Sequence, residues 1–288
     1  MSEASVELRS PAPRPWLAVR MLAWRELIRF FRQPNRLIGA IGQPVVFWLL
    51  FGSGLEGSFR LGESDQTARE YLFPGMLLLL VLFTAIFTSI SVIEDRKEGF
   101  LQSVLVAPLP RWAMVLGKLL GSTAIALVQG LLFLLLALTL DIEWNLLGLL
   151  GLVLMTALAA LAMTALGFVL AWQLDSTQGF HAVMSLVLMP LWLLSGAFFP
   201  IPAVTENTSL SQTALPWVMR PERRTDPVAG VRQLLYGEQP AFLSSAAGEN
   251  GFWSPGLMWC WLLTAAFTAA MFLAATRVAA TRTQGDLQ

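Results

Sequence analysis

Charge is scarce in this chain. Only 13% of its 288 residues are charged and 56% are hydrophobic, whereas ordinary soluble domains carry roughly 25% charge. That composition excludes a soluble globular protein and reads as an all-α integral membrane protein. Lysine occurs only at Lys97 and Lys118, histidine only at His181 and cysteine only at Cys260. A single cysteine excludes a disulfide within the chain, and its place in a late apolar segment makes Cys260 a small buried thiol. Equal numbers of acidic and basic residues, 19 of each, give no case for nucleic acid. The opening MSEASVELRSPAPRP lacks an apolar core and is no cleavable signal peptide. Residues 1–15 are expected as a disordered cytoplasmic tail.

Catalytic signatures are missing too. There is no HExxH, no GxSxG, no cysteine–histidine cluster and no pair of intramembrane carboxylates, so neither catalysis nor a metal site is visible. No GxxxxGK[ST] occurs, and neither lysine lies in a phosphate-cradling loop. Work done across the membrane must therefore come from another subunit. His181 has no acidic partner at similar depth, which makes it an interfacial or packing residue rather than a proton relay. A membrane-embedded enzyme or assembly factor, or a carrier driven by an ion gradient, remains the alternative on the same scaffold.

What the sequence has is long charge-free runs. At 1.5 Å per residue, about 20 residues cross a bilayer core, and six segments qualify: 37–55, 71–93, 112–140, 144–174, 179–199 and 254–276. They form one six-span domain, 34–276, followed by a cytoplasmic tail at 277–288. Span 3 is expected to reach back to Trp112 through a turn carrying Lys118, and Gly117 and Gly121 within it have the spacing of a helix-packing seam. Residues 16–33 read as an amphipathic helix in the headgroup region. Arg25, Arg29 and Arg32 share one face, and Trp24, Leu27, Ile28 and Phe31 occupy the other. Between spans 5 and 6 lies the one long polar region, broken by Pro200, Pro216 and Pro227 among others. Residues 215–219 and 228–236 there have the length of short helices dipping into the membrane edge.

The stretch Glu94–Pro110, EDRKEGFLQSVLVAPLP, interrupts this pattern. Glu94, Asp95, Arg96, Lys97 and Glu98 are ionisable and belong at or beyond the membrane surface. Phe100, Leu101, Val104 and Leu105 follow at helical spacing. The expectation is one short amphipathic surface helix with acids in its first turn, closed by Pro108 and Pro110. Seven arginines precede span 1 and four basic residues lie in 94–118, against two in 56–70 and none in 141–143. Both termini and this stretch are therefore expected in the cytoplasm.

With these residues in place, the chain resembles the permease subunit of type 2 ATP-binding cassette exporters, the ABC-2 family that includes daunorubicin-resistance and nodulation-factor export permeases. Gly99-Phe100-Leu101-Gln102, then Leu105-Val106-Ala107-Pro108-Leu109 and Leu116-Gly117-Lys118-Leu119, match the family's most specific element. Ser195-Gly196-Ala197-Phe198-Phe199-Pro200, Leu215-Pro216-Trp217 and Asp226-Pro227-Val228 give a second match. Gln102 stands where the family often has Glu, and Asp226 replaces the common Asn.

The resemblance implies that 16–33 is an interface helix and that the opening stretch is a cytoplasmic coupling helix between spans 2 and 3. The coupling residues would be Glu94, Asp95, Arg96, Lys97, Glu98, Gly99, Phe100, Leu101, Gln102, Val104, Leu105 and Pro108. Pro200, Pro216, Trp217, Asp226 and Pro227 would belong to short re-entrant helices before span 6. It also implies a bacterial inner-membrane permease in the lipid bilayer, dimeric with a second copy or a paralogue. The chain would bind no cofactor itself; ATP and Mg would be used by a separate ATPase subunit to export a hydrophobic or amphipathic drug, lipid or glycolipid.

Overall fold

The computed structural model describes residues 14–34, 38, 42, 45–46, 48–50, 68–140, 145–194, 227–236 and 257–281. The described residues in regular structure are helical, without strands. In chain order the helices are α1 (Pro15–Phe31), α2 (Ala68–Thr88), α3 (Ile90–Lys97), α4 (Phe100–Val106), α5 (Arg111–Leu134), α6 (Leu146–Gln173), α7 (Thr177–Leu194), α8 (Pro227–Tyr236) and α9 (Leu257–Thr281). Among the described residues four segments are long and apolar enough to cross a bilayer: Leu72–Lys97, Arg111–Thr139, Leu146–Gln173 and Leu257–Thr281. Spans 2, 3, 4 and 6 of the sequence reading correspond to these. Most of span 1 and the end of span 5 lie outside the described residues.

The boundaries follow local chemistry. Asn145 accepts a hydrogen bond from the Leu147 amide at 3.1 Å and so caps the start of α6, satisfying one of the unpaired first-turn donors. Ser176 does the same for α7, its hydroxyl accepting from Gly179 at 3.3 Å. Span 3 is one helix that reaches back past Lys118 and Trp112 to Arg111, as expected, and its last residues tighten into a 3-10 turn, Leu135–Thr139. Span 6 runs on to Thr281, which takes residues 277–281 out of the expected tail.

Two apolar cores hold the helices together. One joins α2, α5, α6 and α8 through Phe73, Leu77, Phe133, Met155 and Val231. The other joins α3, α4, α5, α6, α7 and α9 through Ile93, Leu101, Leu119, Phe168, Phe180 and Ala275. Helix α8 is the short helix expected at 228–236, with Pro227 as its first residue. It lies close on its neighbours: a Cβ at Gly230 would come within 2.6 Å of Met155 Cε, and one at Gly151 within 2.9 Å of Leu234 Cδ2. Its last residue closes a gap made by a proline. Pro74 inside α2 cannot donate to the carbonyl four residues back, that of Glu70, and the Tyr236 hydroxyl donates to that oxygen at 2.7 Å. Pro200, Pro216, Trp217 and Asp226 lie outside the described residues.

Candidate functional site

The charged stretch is divided by one residue. Gly99 takes φ +75°, in the left-handed region, and ends α3 before α4 begins, a conformation that costs a residue with a Cβ about 1–2 kcal/mol. The acids expected in the first turn of a surface helix therefore stand near the C-terminal end of α3, where the helix dipole disfavours them. Cations of α1 and α5 offset that placement.

Arg25 of α1 donates to both Asp95 oxygens, Nη1 to Oδ2 at 3.1 Å and Nη2 to Oδ1 at 2.8 Å. One turn on, Arg29 donates to Asp95 Oδ1 at 2.7 Å, to Glu94 Oε2 at 2.9 Å and to Glu98 Oε1 at 3.2 Å. Lys118 of α5 donates to Asp95 Oδ2 and to Glu26 Oε1, the latter at 2.9 Å. Asp95 is 0% exposed, Lys118 2% and Glu26 4%. Ionised groups so buried persist only when paired. Burial works against the Arg25 charge, but its bond to Asp95 and the charges of Asp95, Glu26 and Glu98 outweigh it and hold its pKa above the ordinary value. The Arg25 guanidinium also lies 3.6 Å from the centre of the Phe100 ring, tying it to the first residue of α4.

The other flank of α3 is held as firmly. Arg96 donates to the Trp172 carbonyl at 2.6 Å and to Asp175 Oδ1 at 3.0 Å, so the turn between α6 and α7 is joined to the same segment. The junction thus connects α1, α3, α5 and the α6–α7 turn in one network, with α4 attached to it.

Three features differ from the sequence reading. First, Asp95 is sealed inside the protein rather than presented on the outside of a surface helix, its charge paired with Arg25, Arg29 and Lys118. Second, the apolar stripe of α4 turns inward: Leu101 is 2% exposed and belongs to the second core, with Phe100, Val104 and Leu105 packed against it. The exposed residues of this segment are Lys97, Glu98, Gln102, Ser103, Val106 and Pro108. Third, only part of the α1 basic face is free. Arg25 and Arg29 point into the junction while Arg32 and Trp24 are exposed.

Helix α1 reaches the junction because α5 has a groove for it. Val19, Leu22, Glu26 and Phe30 form its buried stripe. Gly117 and Gly121 sit beneath that stripe; a Cβ at Gly117 would lie 2.9 Å from the Val19 carbonyl, and one at Gly121 2.9 Å from that of Ala23. The small-residue spacing in span 3 is thus a seat for this chain's own first helix. Neither Glu26 nor Lys118 is among the coupling or interface residues that the sequence points to. Their signals were present: Glu26 is the sole acid of α1, and Lys118 the sole lysine of α5.

His181 is exposed on α7 and lies against the Phe87 ring, 4.9 Å between centroids. Cys260 is a buried free thiol. Among the described residues no cluster of His, Cys, Asp or Glu has the makings of a metal site.

Similarity to known proteins agrees with this architecture. Nodulation protein J of Rhizobium leguminosarum bv. trifolii is 28% identical over 263 residues, covering 85% of this chain and 97% of that protein. The daunorubicin resistance ABC transporter permease protein DrrB1 of Streptomyces coeruleorubidus is 22% identical over 249 residues, 82% of this chain and 77% of its own length. A putative transport permease, ycf38, of Cyanophora paradoxa is 33% identical over 90 residues, so the chain spans only 31% of that relative. The model of one family, described as ABC-2 type transporter, matches residues 18–212, a stretch that holds α1 from its fourth residue on and the whole charged junction and covers more than half of the sequence. The chain belongs to the ABC-2 type transporter family.

Proposed function

We propose that the chain is the membrane permease subunit of an exporter that moves a hydrophobic or amphipathic molecule outward across a bacterial inner membrane, driven by ATP hydrolysed with Mg in a separate subunit. Two permease chains pair with two ATPase subunits on the cytoplasmic side, where both termini lie. The junction around Asp95 is the observation that carries this reading. Its network joins four parts of the fold rigidly, while Lys97, Glu98, Gln102, Ser103, Val106 and Pro108 remain exposed on the same segment.

A push on that exposed face moves α3 and α5 directly and carries α1 and the α6–α7 turn with them, because packed cores shift as rigid bodies rather than deform. Leu101, Phe100, Val104 and Leu105 then act by fixing α4 to the membrane helices, and the partner meets the opposite side. In proteoliposomes holding the chain and its ATPase subunit, efflux of an amphipathic dye should require ATP and the partner and should persist after ionophores collapse all ion gradients. Transport that survives ATP depletion but stops with the ionophores would sink the proposal in favour of a gradient-driven carrier.

A further inference from the structure

The outer side of α1 is built for more than general contact with the bilayer. Its buried stripe and two of its arginines are committed to the protein, which leaves Trp16, Leu17, Met21, Trp24, Ile28 and Phe31 exposed. The sole acid of the helix, Glu26, is buried against Lys118. The exposed side therefore carries Arg20 and Arg32 with no carboxylate among them. Met21, Trp24, Arg25, Ile28, Arg29 and Arg32 line an open groove of about 460 Å³ on this side. Arg25 and Arg29 there are neutralised by Asp95, Glu94 and Glu98. Arg32 has no ion pair among the described residues and is the uncompensated cation of the groove.

A cation beside an apolar wall of Met21, Trp24 and Ile28 fits an anion that carries hydrocarbon with it. A hydrated ion would gain nothing from the wall. Edge-to-face contact of Trp16 with Trp112 of α5, 5.4 Å between centroids, makes this apolar side continuous with the outer surface of a membrane-length helix. We propose that the groove is a site for the headgroup of an anionic phospholipid, with Arg32 holding the phosphate and Trp24 and Ile28 against the first part of the acyl chains.

The full-length chain, reconstituted in vesicles of phosphatidylcholine mixed with phosphatidylglycerol and released into detergent, should retain phosphatidylglycerol preferentially by native mass spectrometry. Arg32→Gln should reduce that preference by about fivefold, the effect of one basic residue near an anionic surface. Arg20→Gln, exposed on the same helix but outside the groove, should leave it unchanged. Equal losses in both variants would mean diffuse surface charge and no site. Retention of both lipids alike, or displacement of phosphatidylglycerol by millimolar inorganic phosphate, would overturn the proposal as well. So would a change of oligomeric state in Arg32→Gln without loss of lipid, which would assign the face to a second copy.

Discussion

Lys118, about one third of the way along a helix of membrane-spanning length, donates to Glu26 from the first helix at 2.9 Å while also holding Asp95 from the end of another. These contacts bring three ionisable groups under the same apolar cover. Removing one partner from such a set leaves the others buried with too little compensation, which costs about 3–5 kcal/mol in buried ion pairs. Lys118→Met should fall at the low end of that range, because Asp95 keeps Arg25 and Arg29 and Glu26 keeps Arg25 at 3.6 Å. The paired variant Glu26→Gln with Lys118→Met should lose less than the sum of the two single changes. Thermal unfolding of the purified chain in detergent checks both; additive losses would mean that the two residues do not interact.

The seat of α1 gives a steric prediction. Gly117→Ala and Gly121→Ala would each place a methyl group about as close to an α1 backbone carbonyl as a hydrogen-bonding atom comes, 2.9 Å in both cases. Neither carbonyl can yield without moving the helix, so a destabilisation of about 1–3 kcal/mol is expected for each. Gly179→Ala is the control, since its Cβ would meet only Ser176 at an ordinary 3.6 Å, and alanine within a helix is favoured over glycine by about 0.5–1 kcal/mol. The three variants should separate by the sign of their shift in unfolding temperature.

Much of this fold is legible in the sequence because apolar runs in a membrane protein answer to one dimension, the thickness of the bilayer. Spans 2, 3, 4 and 6 emerge within a few residues of their helices for that reason. The junction is harder to read. Amphipathic spacing in α4 shows that Phe100, Leu101, Val104 and Leu105 share a side, but periodicity is silent on whether that side meets another protein or the chain's own core. A lone cation such as Lys118 within an apolar run is costly unless it has partners, and the sequence does not show them. Those partners lie 92 and 23 residues away, and no local pattern announces them.

The inward turn of Leu101 changes what a docking mutation should look like. Leu101→Asp would place a carboxylate in a closed apolar core and should prevent folding or assembly of the permease itself. Val106→Asp sits on an exposed position, 79% accessible, and should leave expression and unfolding temperature unchanged. If the exposed side of this segment meets the ATPase subunit, Val106→Asp should still cut stimulated ATP hydrolysis in the reconstituted complex. Unaltered stimulation in Val106→Asp would move the docking surface elsewhere on the chain.

Sidedness can be tested with little perturbation because the native thiol is out of reach. Cys260 is buried, 0% exposed, so new cysteines introduced by Ser103→Cys and Ser209→Cys should be the only ones labelled by a membrane-impermeant maleimide. Ser103 lies on the exposed side of α4, and the proposed orientation, argued from the distribution of arginine and lysine, would put that segment in the cytoplasm. Ser209 lies in the long region between spans 5 and 6, which the proposed six-span topology would put outside. Intact cells should therefore label Ser209→Cys and spare Ser103→Cys, and inverted vesicles should reverse the pattern. Labelling of both from one side would require an even number of crossings between them, and with it a different face of the chain for the ATPase subunit to meet.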